Sequence, residues 1–299
     1  MINDYRKLAQ LFTSSHLKEL SRGNFDLVNQ VRKFFFESHE NLSIANLFDE
    51  SFKLLSNKYP NEYIYKNLII EQLFLKKYDY DIATFLTEFR VGDRKADCVV
   101  LNGKSTCYEI KTEFDSLLRL DLQLKEYEQI FDEVYVVCAT KFTSKLLNQL
   151  PENIGIFEYN SNFSFKKIRK SKIQKDSINK KLLMQTLRQS EFKQLASQIS
   201  KKNIDVPNTE VFDHCSNIIQ QYDNNKKLNK LFIDILKKQR KNDEELIKSF
   251  PKSLTNALIS YNLLKSDLNN LREIMTINYG KNHYVLPYTT WQTTRIFCS

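Results

Sequence analysis

No uninterrupted apolar run of 18 or more residues occurs in the sequence, and its opening, MINDYRKLAQ, has no hydrophobic stretch of the kind a secretory leader needs. Neither a membrane-spanning helix nor export is expected, so the chain reads as cytoplasmic. Cysteine is scarce and scattered. Cys98, Cys107, Cys138, Cys215 and Cys298 are odd in number, and no two form a C-x-x-C pair, which argues against a disulfide framework and against a zinc site. The four histidines, His16, His39, His214 and His283, show no metal-ligand spacing. With only five glycines there is no glycine-rich loop to cradle a nucleotide's phosphates, and ATP use finds no support.

The chain has material for a sizeable core, with 41% hydrophobic and 27% charged residues over 299 positions, a length that allows one to three domains. Its net charge of +9 is unevenly spread. Residues 1–160 hold 20 Lys and Arg against 24 Asp and Glu, whereas residues 161–299 hold 25 against 12. The change falls at SFKKIRKSKIQKDSINKK, a lysine-rich stretch with little periodicity. It reads as a linker over 161–178, open both as a solvated connector and as a strip in contact with nucleic acid.

Apolar residues recur every three or four positions around 4–13, 24–38, 43–59 and 61–77, which predicts four helices. Strands are expected over 82–91, 94–101 and 105–111, separated by the hairpin signals Gly92-Asp93 and Asn102-Gly103. A helix over 114–131 leads to the apolar run VYVVCAT, then to a short helix and the strand IGIFEY. This is an αβββαβ order with one further αβ unit, in which the run at 134–139 suits a central strand covered on both faces.

Counting register places the acidic residues. A two-residue turn at Gly92-Asp93 sets Val91 opposite Arg94 and Glu88 opposite Asp97. A three-residue loop over 102–104 sets Asp97 opposite Glu109 and Lys95 opposite Lys111. It also gathers Ala96, Cys98, Val100, Tyr108 and Ile110 on one apolar face; a two-residue loop would scatter both sets. The preferred register aligns Glu88, Asp97 and Glu109 in one row, with Lys111 beside it. Opposed like charges repel at that spacing, and a divalent cation relieves the repulsion; an all-oxygen donor set suits Mg²⁺ or Mn²⁺. Lys111 then has work as a general base or as a partner for charge on a phosphate. Removing it from an acidic row should disturb no packing.

Asp97 in RKADCVVL followed by Glu109-x-Lys111 resembles the signature of the PD-(D/E)xK nuclease superfamily, with Ala96 in place of the usual proline. Gln123-x-x-x-Tyr127 downstream is similar to the Q-x-x-x-Y motif of its RecB-like members. RKAD, YEIKTEFDSLLRL, LKEYEQIFDEVYVV and LPENIGIFEY together resemble one poorly characterised bacterial family of that superfamily over about residues 60–160, with a weaker likeness at YVLPYT (284–289). The resemblance implies a restriction-endonuclease-like core. It implies Asp97, Glu109 and Lys111 as catalytic residues, and Asp97, Glu109, Glu88 and Glu71 as ligands of Mg²⁺ or Mn²⁺. Arg119, Gln123, Tyr127 and Lys95 are the implied substrate contacts. On the residues alone, Tyr127 is equally an ordinary core residue of a stripe formed with Leu117, Leu118, Leu124 and Ile130. Asp115 is expected to cap the 114–131 helix.

Four further helical patterns, at 180–199, 209–222, 226–241 and 253–274, make the last part mostly α-helical. The expected division is therefore N-terminal helices over 1–60, a nuclease-like α/β core over 61–160, a linker over 161–178 and a basic helical region over 179–299. The expected function is metal-dependent phosphodiester hydrolysis, with DNA ahead of RNA as substrate, in bacterial or phage genome defence or conflict. The basic helices would supply phosphate grip, self-association or contact with a protein partner. The alternative is a nuclease fold that no longer cuts and serves as a binding module or regulator.

Overall fold

The computed structural model of the protein describes residues 2–39, 42–160, 162–173 and 178–278. The YVLPYT stretch, His283 and Cys298 lie outside the described residues. The chain divides into two compact units, one drawn from both ends of the sequence (up to residue 67 and from 243 onward) and one continuous over 68–242. No helix among the described residues is long and apolar enough to cross a membrane.

The first unit begins with α1 (Ile2–Ala9), a 3₁₀ turn (Gln10–Phe12), α2 (Ser14–Ser21), α3 (Asp26–Phe35), α4 (Ile44–Lys58) and α5 (Glu62–Ile69). The expected helix at 4–13 is broken, and α2 is an addition. Thr13 has an extended backbone, and its hydroxyl accepts the His16 N–H at 3.3 Å, so a new helix starts there. Ser43 opens α4 in the same way, accepting the Asn46 N–H at 3.1 Å. The expected helix at 61–77 changes character partway, passing from α5 into a π-helical segment, Ile70–Leu75.

The second unit is built on a six-stranded mixed sheet in sequence order: β1 (Thr84–Val91), β2 (Arg94–Leu101), β3 (Ser105–Lys111), β4 (Glu133–Ala139), β5 (Gly155–Asn160) and β6 (Ser164–Arg169). The β3–β4 and β4–β5 pairs are parallel and the others antiparallel. Parallel neighbours need a crossover, supplied by α6 (Leu120–Tyr127) and α7 (Thr140–Gln149). Both hairpin registers follow the expected pairing, with Val91 opposite Arg94 and Leu101 opposite Ser105. Gly92 and Gly103 hold the turns at φ of 55° and 95°, which β-carbons disfavour. β6 corrects the expected linker: SFKKIR pairs along β5 and keeps Lys166 and Lys167 exposed, as edge strands commonly do.

The helices that follow, α8 (Lys180–Thr186), α9 (Gln189–Ser200), α10 (Val211–Gln220) and α11 (Asn225–Gln239), are no separate domain. Leu183, Leu195, Ile219, Phe232 and Leu236 share one buried cluster with Leu86, Val99, Cys107 and Val136 of the sheet. Asn242 satisfies the backbone of β1, donating to the Phe85 carbonyl at 2.9 Å and accepting the Phe85 N–H at 2.8 Å. Arg240 forms a two-point ion pair with the fully buried Glu191, at 2.6 and 2.7 Å, and lies 4.9 Å over the Phe89 ring. The expected boundaries at 160 and 178 fall inside the second unit, because a sheet with two apolar faces needs helices on both and α8–α11 cover one of them; the expected boundary at 60 falls inside the first unit, which runs to residue 67 and resumes at 243.

The chain then completes the first unit with α12 (Glu244–Lys248), α13 (Thr255–Ser260) and α14 (Lys265–Met275). Side chains stitch the two halves together. Asn67 donates to the Lys252 carbonyl at 2.9 Å and accepts the Asn256 N–H at 2.8 Å, Tyr63 donates to the Ser253 carbonyl at 2.7 Å, and the Ser21 hydroxyl donates to Asp267 at 3.0 Å. His16 of α2 is buried with its Nε2 lacking a hydrogen bond, and desolvation lowers its pKa to about 4. The unfolded chain therefore binds a proton here that the folded chain refuses. Stability is expected to fall as pH drops from 6.5 towards 4, by up to about 3 kcal/mol. Urea melts at pH 7 and pH 4.5 measure it, and His16→Leu should remove that share of the dependence.

Candidate functional site

The expected acidic row lies where the sheet is irregular. Along β1 the residues facing the helix-covered core are Leu86, Phe89 and Val91, and along β2 they are Ala96, Val99 and Leu101. Strict alternation would space them by two, so both strands switch faces at the same level, between Leu86 and Phe89 and between Ala96 and Val99. Glu88 stands at the switch with a left-handed φ of 49°, and the pairing of β1 with β2 passes from Thr87–Cys98 to Phe89–Ala96 without joining Glu88 to Asp97. This corrects the expected apolar face: Ala96 lies opposite Cys98 and Val100, and both faces are buried.

β2 and β3 part at the same level. Their backbone pairing runs from Leu101–Ser105 to Cys98–Tyr108 and stops short of Asp97 and Glu109. Asp97 fills the fork, its Oδ2 accepting the Ile110 N–H at 2.6 Å. Oxygens of Asp97 and Glu88 lie within 4.8 Å of each other, and Lys95 reaches Glu88 at 3.7 Å in an exposed pair. Glu109 and Lys111 are two apart on one face of β3, both buried, with Lys111 Nζ donating to Glu109 Oε1 at 2.6 Å and to Gln123 Oε1 at 3.2 Å. Tyr127, one helical turn beyond Gln123, is fully buried and donates its hydroxyl to the Lys95 carbonyl at 2.7 Å, which fastens α6 to β2 two residues before Asp97.

Electrostatics follow from this crowding. Burial pushes the Glu109 carboxyl above its usual value, against the pull of Lys111 and of the nearby Tyr127 and Gln123. Burial also raises the Tyr127 hydroxyl, helped by the charges of Glu109 and Asp97, so both carboxylates bear on the same phenol. Glu109 Oε2 is buried without a hydrogen bond. An orphaned buried carboxylate oxygen is the kind of donor a hard cation takes, but among the described residues the carboxylate oxygens gathered within 4.8 Å of one another include those of Glu88 and Asp97 and not those of Glu109. Glu71 lies half-buried on the π-helical segment, a geometry often found at functional sites, and Arg119 is exposed at the N-terminal cap of α6.

The helix expected over 114–131 is only Leu120–Tyr127. Asp115 does not cap it but closes a turn of its own, accepting the Thr112 N–H at 2.7 Å and its hydroxyl at 2.6 Å. Lys141 of α7 donates to the Glu113 carbonyl and anchors the same loop. Leu118, expected in the buried stripe, is 90% exposed. The loop's Thr112-x-x-Asp115 pattern was the signal for this turn, and it has the same form as a helix cap.

Glu88 offers a direct test of the irregularity. Glu88→Gly should leave stability at or above that of the parent, since glycine accepts a left-handed φ, whereas Glu88→Val should lose about 1–2 kcal/mol. Chemical denaturation distinguishes the two.

These features define an α/β protein with a buried carboxylate–lysine pair at the fork of a mixed sheet. The chain belongs to the family described as Bacteriophage P4 protein cII, which matches residues 55–272. Protein cII of Enterobacteria phage P4 is 39% identical over 138 residues, 44% of this chain and 52% of that protein, so the chain spans about half the length of this relative. Among solved structures, the SPO1766 protein of unknown function from Silicibacter pomeroyi matches 42% of this chain and 86% of its own at 15% identity and a TM-score of 0.28, a likeness too slight to carry an argument.

Proposed function

We infer that the protein is a metal-dependent nuclease acting on DNA, with a restriction-endonuclease-like core formed by β1–β3, α6 and β4. The observation that carries this reading is the convergence of Glu109, Lys111 and Gln123 beside Asp97, with Tyr127 holding the helix in place. Two of the three Lys111 donors are engaged, by Glu109 and Gln123, and the third is left for a phosphate oxygen or the attacking water. Gln123 orients the ammonium, and the buried walls limit the water that reaches it. A cation held by Asp97, Glu109 and Glu88 would supply charge neutralisation at the phosphate and a more acidic water.

The placement of positive charge supports the substrate. Residues 161–242, all within the sheet-bearing unit, hold 19 Lys and Arg against 7 Asp and Glu, while residues 243–299 hold 6 against 5. Grip on phosphates thus belongs to the same unit as the candidate site. Purified protein incubated with plasmid, linear and single-stranded DNA and with RNA should cut DNA in Mg²⁺ or Mn²⁺ and not in EDTA. Affinity should fall linearly with salt in log–log form, with a slope of about −0.9 per neutralised phosphate on duplex DNA. Salt-sensitive binding without any cutting would favour the binding-module alternative, and neither binding nor cutting would end the nucleic-acid reading.

A further inference from the structure

The segment that leads from Lys111 into α6 is apolar where a surface loop is normally polar. Leu118 is 90% exposed, Leu122 53% and Phe114 51%, within nine residues that begin three positions after Lys111 and end beside Gln123. Leu122 projects from the outward side of α6, one step around from Gln123. These side chains are not exposed because the loop is loose. Asp115 accepts two hydrogen bonds from Thr112, the Thr112 hydroxyl accepts the Phe114 N–H at 3.2 Å, and Lys141 holds the Glu113 carbonyl. A built loop that exposes three large apolar side chains at four-residue intervals marks a binding surface.

We propose that Phe114, Leu118 and Leu122 form a rim on which unpaired bases lie, so that the site takes single-stranded or frayed nucleic acid in preference to closed duplex. This rests on the nuclease reading and names the form of its substrate. A phosphate held at Lys111 and Gln123 brings its own nucleosides to within a few ångströms, and the rim is the surface that adjoins those two residues along the chain. In closed duplex the base faces are already stacked on one another, whereas in a single strand they are open to an aromatic ring and leucine methyls. Arg119, exposed between Leu118 and α6, is placed to meet the adjoining phosphate.

The test uses the full chain in EDTA, with fluorescence anisotropy of a labelled single strand and of a blunt duplex of the same sequence. The single strand should bind about tenfold tighter, and Phe114→Ala or the pair Leu118→Gln with Leu122→Gln should reduce that affinity about tenfold, the order expected for one lost stacking contact, while leaving duplex binding within about twofold. Equal affinity for the two forms, or single-strand affinity unchanged in the variants, overturns the proposal. So does loss of self-association in sedimentation with nucleic-acid binding intact, which would give the rim to a second copy of the chain. Adding Mg²⁺ separates this inference from the one beneath it. Cutting of duplex and single strand at equal rates, unaltered in the variants, keeps the nuclease and removes the rim; single-strand preference with no cutting keeps the rim and removes the nuclease.

Discussion

Lys111→Met is expected to abolish the proposed cleavage and also to cost the fold about 3–5 kcal/mol at neutral pH, the usual penalty for stranding one member of a buried ion pair. The second effect corrects the expectation that the lysine stands in an open acidic row and can be removed freely. Lys111 is buried with its ammonium 2.6 Å from Glu109, whose other oxygen has no hydrogen bond. Without the lysine, burial acts on Glu109 against only Tyr127 and Gln123 and moves its pKa further up. A carboxyl whose folded pKa is raised binds more protons folded than unfolded, so stability falls as pH rises above the ordinary value of 4.5. The penalty should therefore shrink as pH is lowered towards 4.5, and Glu109→Gln in the same chain should recover most of it at pH 7. Urea melts of the two single variants and the double variant, at pH 5 and 7.5, give the coupling directly. A Lys111→Met protein as stable as its parent at both values would show that the pair contributes nothing to the fold.

Ending the chain at residue 160 is expected to yield an unfolded or aggregated product, although the sequence alone marks 160 as a domain boundary. The cut removes β6 and α8–α11, and with them Leu183, Leu195, Ile219, Phe232 and Leu236 from the cluster that buries one face of the sheet. It also removes Asn242 from the β1 backbone. Each large apolar residue withdrawn from a core costs about 2–5 kcal/mol, so five exceed the whole stability of a typical domain. Circular dichroism and size-exclusion chromatography of the shortened protein decide the matter; a cooperative thermal transition would show that the first 160 residues hold their own core. The role of the basic residues is better tested by replacing exposed Lys166 and Lys167 with Glu, which leaves the buried core alone, gives up only the contact of Lys167 with the Phe157 ring at 5.6 Å, and should weaken the proposed nucleic-acid binding in a salt-dependent manner.

The sheet was legible because its signals are local. Gly92-Asp93 and the three-residue loop after Leu101 fixed both hairpin registers, and the unbroken apolar run at 134–139 marked a strand covered on both faces. Glu109, Lys111, Gln123 and Tyr127 were legible for the same reason: spacings of two on a strand and four on a helix place side chains together wherever those elements form. The face switch at Glu88 and Asp97 could not be read, because two compensating slips leave the register of the hairpin unchanged. β6 was hidden by composition, since an edge strand with lysines outward looks like a solvated linker. The helices α8–α11 were legible as helices but not as the cover of the sheet, because an amphipathic pattern gives the width of an apolar stripe and not its partner.

The nesting of one unit inside the other has a consequence for synthesis on the ribosome. Residues 68–242 form a continuous stretch, so the sheet-bearing unit can close as soon as it has emerged. The first unit cannot. Its opening helices must wait for α12–α14 while roughly 175 intervening residues are added, a delay of about 10–35 s at ordinary elongation rates of about 5–20 residues per second. During that interval Leu8, Leu11, Leu17 and Phe48, all buried in the finished protein, have no completed core to enter. The nascent chain should therefore be a client for chaperones through its earliest residues, and the emergence of α12–α14 is what releases it.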